Sequence, residues 1–324
     1  MSTKSITPIA APHAAPADRH AVKASLSILL GASVWGVAWF PYRVLAGWGL
    51  GGLHAAALVS AVAAGLSLLA FRRQLAGLRP HWLFVAIGLA AGVTNAGFVW
   101  GSVNGHVMRV LLLFYLTPVW TALFARLFLH ERLSPAGLGL VALALSGAGR
   151  MLWTPQVGVP LPGSAAEWSG LIGGMGFAVN NVLSRRAGQR FPDMDARVRT
   201  VVVYLGCTAV GVPAALLMDG SAVAVVPGAQ VSVAMLVLGL AAVLVVSNSV
   251  VQYGLQRLPA NRVSLLMLFE IVIAALSAWW LATEVLSWKE AAGGLCIIAA
   301  GALSGLVHRG RPGATAPAGA EAAA

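Results

Sequence analysis

Long apolar runs, separated by short polar breaks, recur from about Ala24 to Val307, and they leave almost no polar face for water. Each run approaches the roughly 20 residues needed to cross the hydrocarbon layer of a bilayer. In that layer only helices and closed barrels satisfy every backbone N–H and C=O. Apolar runs of this length select helices. The chain is 59% hydrophobic and 10% charged over 324 residues, where a soluble domain carries about 25% charged residues. A soluble fold with unusually apolar helices is therefore excluded, and no room remains for a sizeable soluble domain.

The runs place ten spans. The first five are Ala24–Leu45, Gly52–Phe71, Trp82–Trp100, Val107–Leu129 and Pro135–Trp153; the second five are Ala166–Leu183, Thr200–Met218, Val231–Gln252, Arg262–Leu281 and Trp288–Val307. With both termini in the cytoplasm, 17 of the 21 Lys and Arg fall on the cytoplasmic side, and only Arg43, Arg109, Arg150 and Lys289 fall opposite. Cytoplasmic loops carry such an excess, so the bias supports both the count and the orientation. It also accounts for the net charge of +11 without nucleic acid as a partner. Residues 1–23 and 308–324 are low in complexity and read as disordered cytoplasmic arm and tail. The arm has no apolar signal-peptide core, so the first span is expected to stay as an uncleaved anchor. Cys207 and Cys296 lie inside apolar runs and read as small apolar residues rather than a disulfide or metal site.

A repeat runs through the chain. A shift of 153 residues brings Thr94, Asn95, Trp100 and Gly101 onto Ser247, Asn248, Tyr253 and Gly254, and Arg109 onto Arg262. The same shift brings Glu131, Leu133 and Ser134 onto Glu284, Leu286 and Ser287. A shift of 142 brings Trp35, Gly36 and Arg43 onto Phe177, Ala178 and Arg185. Residues 24–153 and 166–307 thus form two similar halves of five spans each. An odd span count inverts the second half, and inverted repeats place a transport site at the midplane between halves. The fold class is all-α integral membrane, ten helices as two inverted five-helix repeats.

The residues at these positions resemble the EamA family of the drug/metabolite transporter superfamily. The first span reads Val34-Trp35-Gly36-Val37-Ala38-Trp39-Phe40. The fourth reads Leu116-Thr117-Pro118-Val119-Trp120-Thr121 and ends in His130-Glu131-Arg132-Leu133-Ser134. The sixth ends Asn180-Asn181-Val182-Leu183-Ser184-Arg185. The ninth runs from Leu268-Phe269-Glu270-Ile271 to Thr283-Glu284-Val285-Leu286-Ser287. Two departures stand out: His130 and Thr283 occupy positions where Gly is usual, and Ile271 one where Pro is frequent. The resemblance implies export or exchange of a small metabolite or drug across a bacterial inner membrane.

Glu270 is the sharpest candidate, because a charge within an apolar helix costs roughly 2.5–3.5 kcal/mol on the milder insertion scale. Its chemistry fits proton coupling or a cationic substrate group; the structural alternative is a lock with Arg43 or Arg109. The remaining candidates for the substrate cavity are Trp35, Trp39, Asn95, Tyr115, Asn180, Asn181, Asn248 and Gln252, since buried amides and hydroxyls need partners from a substrate or another helix. Trp35, Trp39 and Arg43 recur at a spacing of four and predict an aromatic wall ending in a charge. Pro118 predicts a kink, and a candidate hinge, in the fourth span. Ser287-Trp288-Lys289-Glu290 has the capping-box pattern, and Ser134-Pro135 that of a helix start. Pairs such as Gly31 with Gly36 and Gly88 with Gly92 allow close helix packing. No nucleophile elbow, phosphate-binding Lys loop or Cys/His spacing occurs, so neither an enzyme nor a cofactor is implied. The expected partners are the bilayer, a small-molecule substrate and protons, as a monomer or homodimer. The competing readings are an uncoupled facilitator and a non-transporting interaction protein.

Overall fold

The computed structural model describes residues 16–75, 80–129, 135–153, 161–192, 194–219, 224–255, 257–258, 266–267, 269–285 and 287–307. Among them all regular structure is helical. In chain order the helices are α1 Pro16–Val37, α2 Trp39–Gly47, α3 Gly52–Leu75, α4 Trp82–Asn104, α5 Val107–Phe114 and α6 Thr117–Leu129. They continue with α7 Pro135–Leu152, α8 Ala165–Arg190, α9 Ala196–Ala214, α10 Gln230–Leu255, α11 Phe269–Ala282 and α12 Trp288–Val307. Among the described residues, seven stretches are long and apolar enough to cross a membrane: Val22–Gly47, Gly52–Leu75, Trp82–Asn104, Val107–Phe128, Pro135–Leu152, Arg197–Met218 and Gln230–Val251. α11 is apolar but shorter, and α8 carries Glu167, Asn180, Asn181 and three arginines along its length.

Helix α1 begins at Pro16, inside the segment expected to be a disordered arm. A proline at the first helical position costs no hydrogen bond and presets φ, and Ala, Arg and Lys after it favour the helix.

Two stretches are broken four residues before a proline. Pro41 has no N–H for the carbonyl of Val37, where α1 ends. Pro118 has none for that of Phe114, where α5 ends. A proline ring also clashes with the carbonyl four residues back, so both breaks follow from local chemistry. The chain crosses each with tighter bonds: Ala38 N–H to Trp35 O (3.2 Å) and Leu116 N–H to Leu113 O (3.2 Å). The kink expected at Pro118 is thus a full interruption, and a matching one lies at Val37–Ala38. Pro213 lies inside α9, which passes into a π-helical turn at Ala215–Asp219.

The packing exchanges helices between the two parts of the chain. α1 lies against α10 and α11, while α8 lies against α4, α5 and α6; α3 pairs with α9, and α7 with α12. Small residues set these approaches. A Cβ at Gly88 of α4 would come 3.0 Å from Val202 O and 3.2 Å from Gly206 Cα of α9. One at Gly36 of α1 would come 2.8 Å from the backbone oxygen of Glu270 in α11. The largest buried cluster includes Trp39, Tyr42, Phe98, Val99, Leu111, Phe114, Tyr204, Leu244 and Ala274, so the core sits where these exchanged helices meet.

Candidate functional site

The interruption before Pro118 leaves Tyr115 at the C-terminal cap of α5, its N–H bonded to Leu111 O (2.8 Å). Its hydroxyl is buried beside the Glu270 carboxyl of α11, yet it makes no formed hydrogen bond. A buried hydroxyl left unpaired is costly, and at this spot a carboxyl is within reach. The close approach of Gly36 to the Glu270 backbone presses α1 onto the same point.

A chain of aromatic contacts ends at Tyr115. Trp35 meets Phe98 edge-on (6.5 Å, 79°), and Phe98 meets Phe114 edge-on (6.0 Å, 70°). Phe114 contacts Phe177 (5.6 Å) and Tyr115 (5.7 Å). These rings come from α1, α4, α5 and α8, so an acid and a continuous aromatic series lie together. The negative faces of such rings favour a cation. Sequence reasoning selected Trp35, Tyr115 and Glu270 but missed Phe98, Phe114 and Phe177. One signal was present: the 142-residue shift sets Phe177 opposite Trp35.

The other candidates divide. Trp39 has no exposed surface and donates through Nε1 to Ser277 Oγ (3.0 Å), which in turn donates to Gly36 O (3.0 Å). Within the expected wall of Trp35, Trp39 and Arg43, the break at Ala38 falls between the two Trp, Arg43 stacks over Trp39, and Trp39 is a strut between α2 and α11. Asn180 is buried and donates to Ile87 O (3.0 Å), which makes it a clamp between α8 and α4. Asn95 donates to Ser60 Oγ (3.2 Å) and is half-buried. Asn181 and Asn248 are half-buried, with Asn248 beside the buried Tyr204 hydroxyl. Gln252 lies on α10 with its side chain outside the described residues, as are Glu131, Ser134 and Arg262. Trp39→Phe is expected to lower stability by about 1 kcal/mol, the usual net worth of a hydrogen bond, read as a lower melting temperature in detergent.

At one end of the bundle, charges from distant parts of the chain form a layer. Arg43 pairs with Glu284 (3.3 Å), donates through Nε to Ser102 O (2.8 Å), and stacks over Trp39 (5.1 Å). Glu284 also accepts from the N–H groups of Val107 and Met108 (3.1 and 3.2 Å), where a helix N-terminus favours negative charge. Arg109 pairs with Glu167 (3.1 Å) and Glu290 (3.5 Å). The lock considered between Glu270 and Arg43 or Arg109 is thereby corrected: both arginines bind other acids. The capping box forms as expected, with Glu290 Oε2 accepting from Ser287 N–H (2.9 Å) and Glu290 N–H donating to Ser287 Oγ (3.3 Å).

The residue before Glu284 is Thr283, whose backbone is left-handed (φ 54°). Such a conformation costs a β-branched residue roughly 1–2 kcal/mol and costs glycine nothing. Thr283→Gly is expected to raise stability by about 1 kcal/mol, checked by thermal unfolding in detergent.

The sequence profile of the EamA-like transporter family matches residues 22–153 and again residues 165–306. The chain belongs to the EamA family of the drug/metabolite transporter superfamily. It is a multi-pass membrane protein, and the family it belongs to is described as one of transporters. Two Pseudomonas aeruginosa proteins are similar. One is the chloramphenicol-sensitive protein RarD, 28% identical over 110 residues, 33% of this chain and 34% of that one. The other is the uncharacterized transporter PA0485, 30% identical over 105 residues, 32% of this chain and 33% of that one. The matched part spans about a third of those relatives' length. A solved structure described only as the crystal structure of a protein aligns over 90% of this chain and 99% of its own, with a TM-score of 0.56 and 18% identity; the likeness is one of fold.

Proposed function

We propose that this EamA transporter is an alternating-access exporter of small metabolites bearing a protonated amine, with Glu270 as the group that receives the amine or a proton. Its ten spans form two inverted halves, residues 24–153 and 166–307, in a bacterial inner membrane with both termini cytoplasmic. Three observations support the inverted halves: the family profile matches the chain twice, α1 and α8 exchange places in corresponding ways, and α3–α9 and α7–α12 pair across the halves. The observation that carries the substrate class is the Glu270 carboxyl beside the unpaired Tyr115 hydroxyl, bordered by Trp35, Phe98, Phe114 and Phe177. Asn181 and Asn248 extend the polar lining. In this reading Arg43, Arg109, Glu167, Glu284 and Glu290 hold the outer end closed, and the break before Pro118 is the hinge beside the substrate.

The test is flux into sealed proteoliposomes across a panel of amines, amino acids and neutral drug-like compounds including chloramphenicol, with an internal pH dye. Saturable movement of amines, accompanied by opposite proton movement, is expected. Movement of neutral compounds alone would refute the substrate class, and the absence of any flux would refute the exporter.

A further inference from the structure

A recess of about 350 Å³ lies between the start of α4 and the end of α8, the helices that also carry Phe98 and Phe177. It is lined by His81, Trp82, Leu83, Arg186, Gln189 and Arg190, and none of these six is acidic. The Arg186 guanidinium lies 5.9 Å from the Trp82 ring and donates to Phe128 O of α6 (3.4 Å), so it is positioned by two neighbouring helices. The His81 ring packs against Phe191 (5.1 Å), and its Nδ1 accepts from Leu83 N–H (3.2 Å). That leaves Nε2 as the ring nitrogen that donates. Two guanidinium groups, an imidazole N–H and a carboxamide thus meet in one recess, a donor set that matches a phosphate.

A second feature says where that phosphate is attached. Trp82, Val85 and Leu89 are 58%, 63% and 47% exposed and repeat at three and four residues, so they form one face of α4. This face runs from the recess towards the middle of the membrane span. A tryptophan at the end of an apolar helix sits at headgroup depth, and basic recesses between spans take lipid headgroups. The charge above and the apolar stripe below fit the two parts of one molecule.

We infer that the recess binds an anionic glycerophospholipid, with its phosphodiester headgroup held by Arg186, Arg190 and His81 and an acyl chain laid along Trp82, Val85 and Leu89. The lipid would join α4 to α8, the two helices that carry Phe98 and Phe177, and so would brace one wall of the aromatic site.

The test is native mass spectrometry of the full chain, purified in detergent and titrated with phosphatidylglycerol or phosphatidylcholine. The expected result is one phosphatidylglycerol retained tightly and no comparable retention of phosphatidylcholine. In R186Q/R190Q retention is expected to fall at least fivefold, and R186K/R190K should restore most of it. The change R257Q, at another exposed arginine, should leave it unchanged. Since Arg190 is exposed, R190Q alone should fold and show a partial loss. Equal retention of both lipids, full retention in R186Q/R190Q, or the same loss in R257Q would overturn the proposal. Displacement of the lipid by 10 mM inorganic phosphate would also overturn it, in favour of a free-phosphate site.

Discussion

Glu270→Gln is expected to leave the protein inserted and folded and to reduce amine transport by one to two orders of magnitude, with the loss of its pH dependence. Glutamine has nearly the shape of glutamate, so the close packing of α1 on α11 at Gly36 is kept. What disappears is the negative charge and the ability to carry a proton. A hydrogen bond to a charged group contributes about 1.5–3 kcal/mol, and each 1.4 kcal/mol is a factor of about ten in affinity. Glu270→Asp keeps the charge but withdraws it by one methylene, so an intermediate rate is expected. Tyr115→Phe removes only the hydroxyl beside the acid and should cost less. Flux measured in proteoliposomes at several pH values distinguishes these cases. A Gln variant with the parent rate and pH profile would remove Glu270 from the transport cycle.

Glu284→Ala is expected to destabilise the protein by about 2–4 kcal/mol. Its carboxylate is mostly buried, with 10% of the side chain exposed, and it serves Arg43 and the N–H groups of Val107 and Met108 at once. Removing one partner of a buried pair costs about 3–5 kcal/mol because the other charge is stranded. Arg43 is 27% exposed and keeps its bond to Ser102 O, which lowers that figure. Loss of the carboxylate at the start of α5 adds about 0.5–2 kcal/mol, the usual cost of losing a cap. Glu284→Gln retains an acceptor for Val107 and Met108 and should lose less. The measurement is thermal unfolding in detergent, with Arg43→Ala and the double variant completing a cycle. Additive losses would show that Arg43 and Glu284 are not coupled.

The two interruptions illustrate how legible the chain is when the cause is local. Pro118 announces a defect, and the helix stops at Phe114, four residues earlier, where the proline ring and the carbonyl collide. Pro41 carries the same signal for the stop at Val37. The capping box at Ser287 and Glu290 is equally local, since both partners lie within one turn. By contrast, Trp39 and Trp35 look equivalent as letters four residues apart. Only the break between them and the arrival of Ser277 separate a buried strut from a ring set edge-on against Phe98.

Hydropathy determined that this chain lies in a membrane as helices and that Glu270 is exceptional. Those properties follow from what each short segment costs to place in hydrocarbon, whatever surrounds it. The partners of its charged and aromatic groups were decided by tertiary structure alone. Arg43 meets Glu284 across 241 residues, and Phe98, Phe114 and Phe177 meet because α8 packs against α4 and α5. No local pattern encodes such a meeting, because it depends on where entire helices are carried by the packing of all the others.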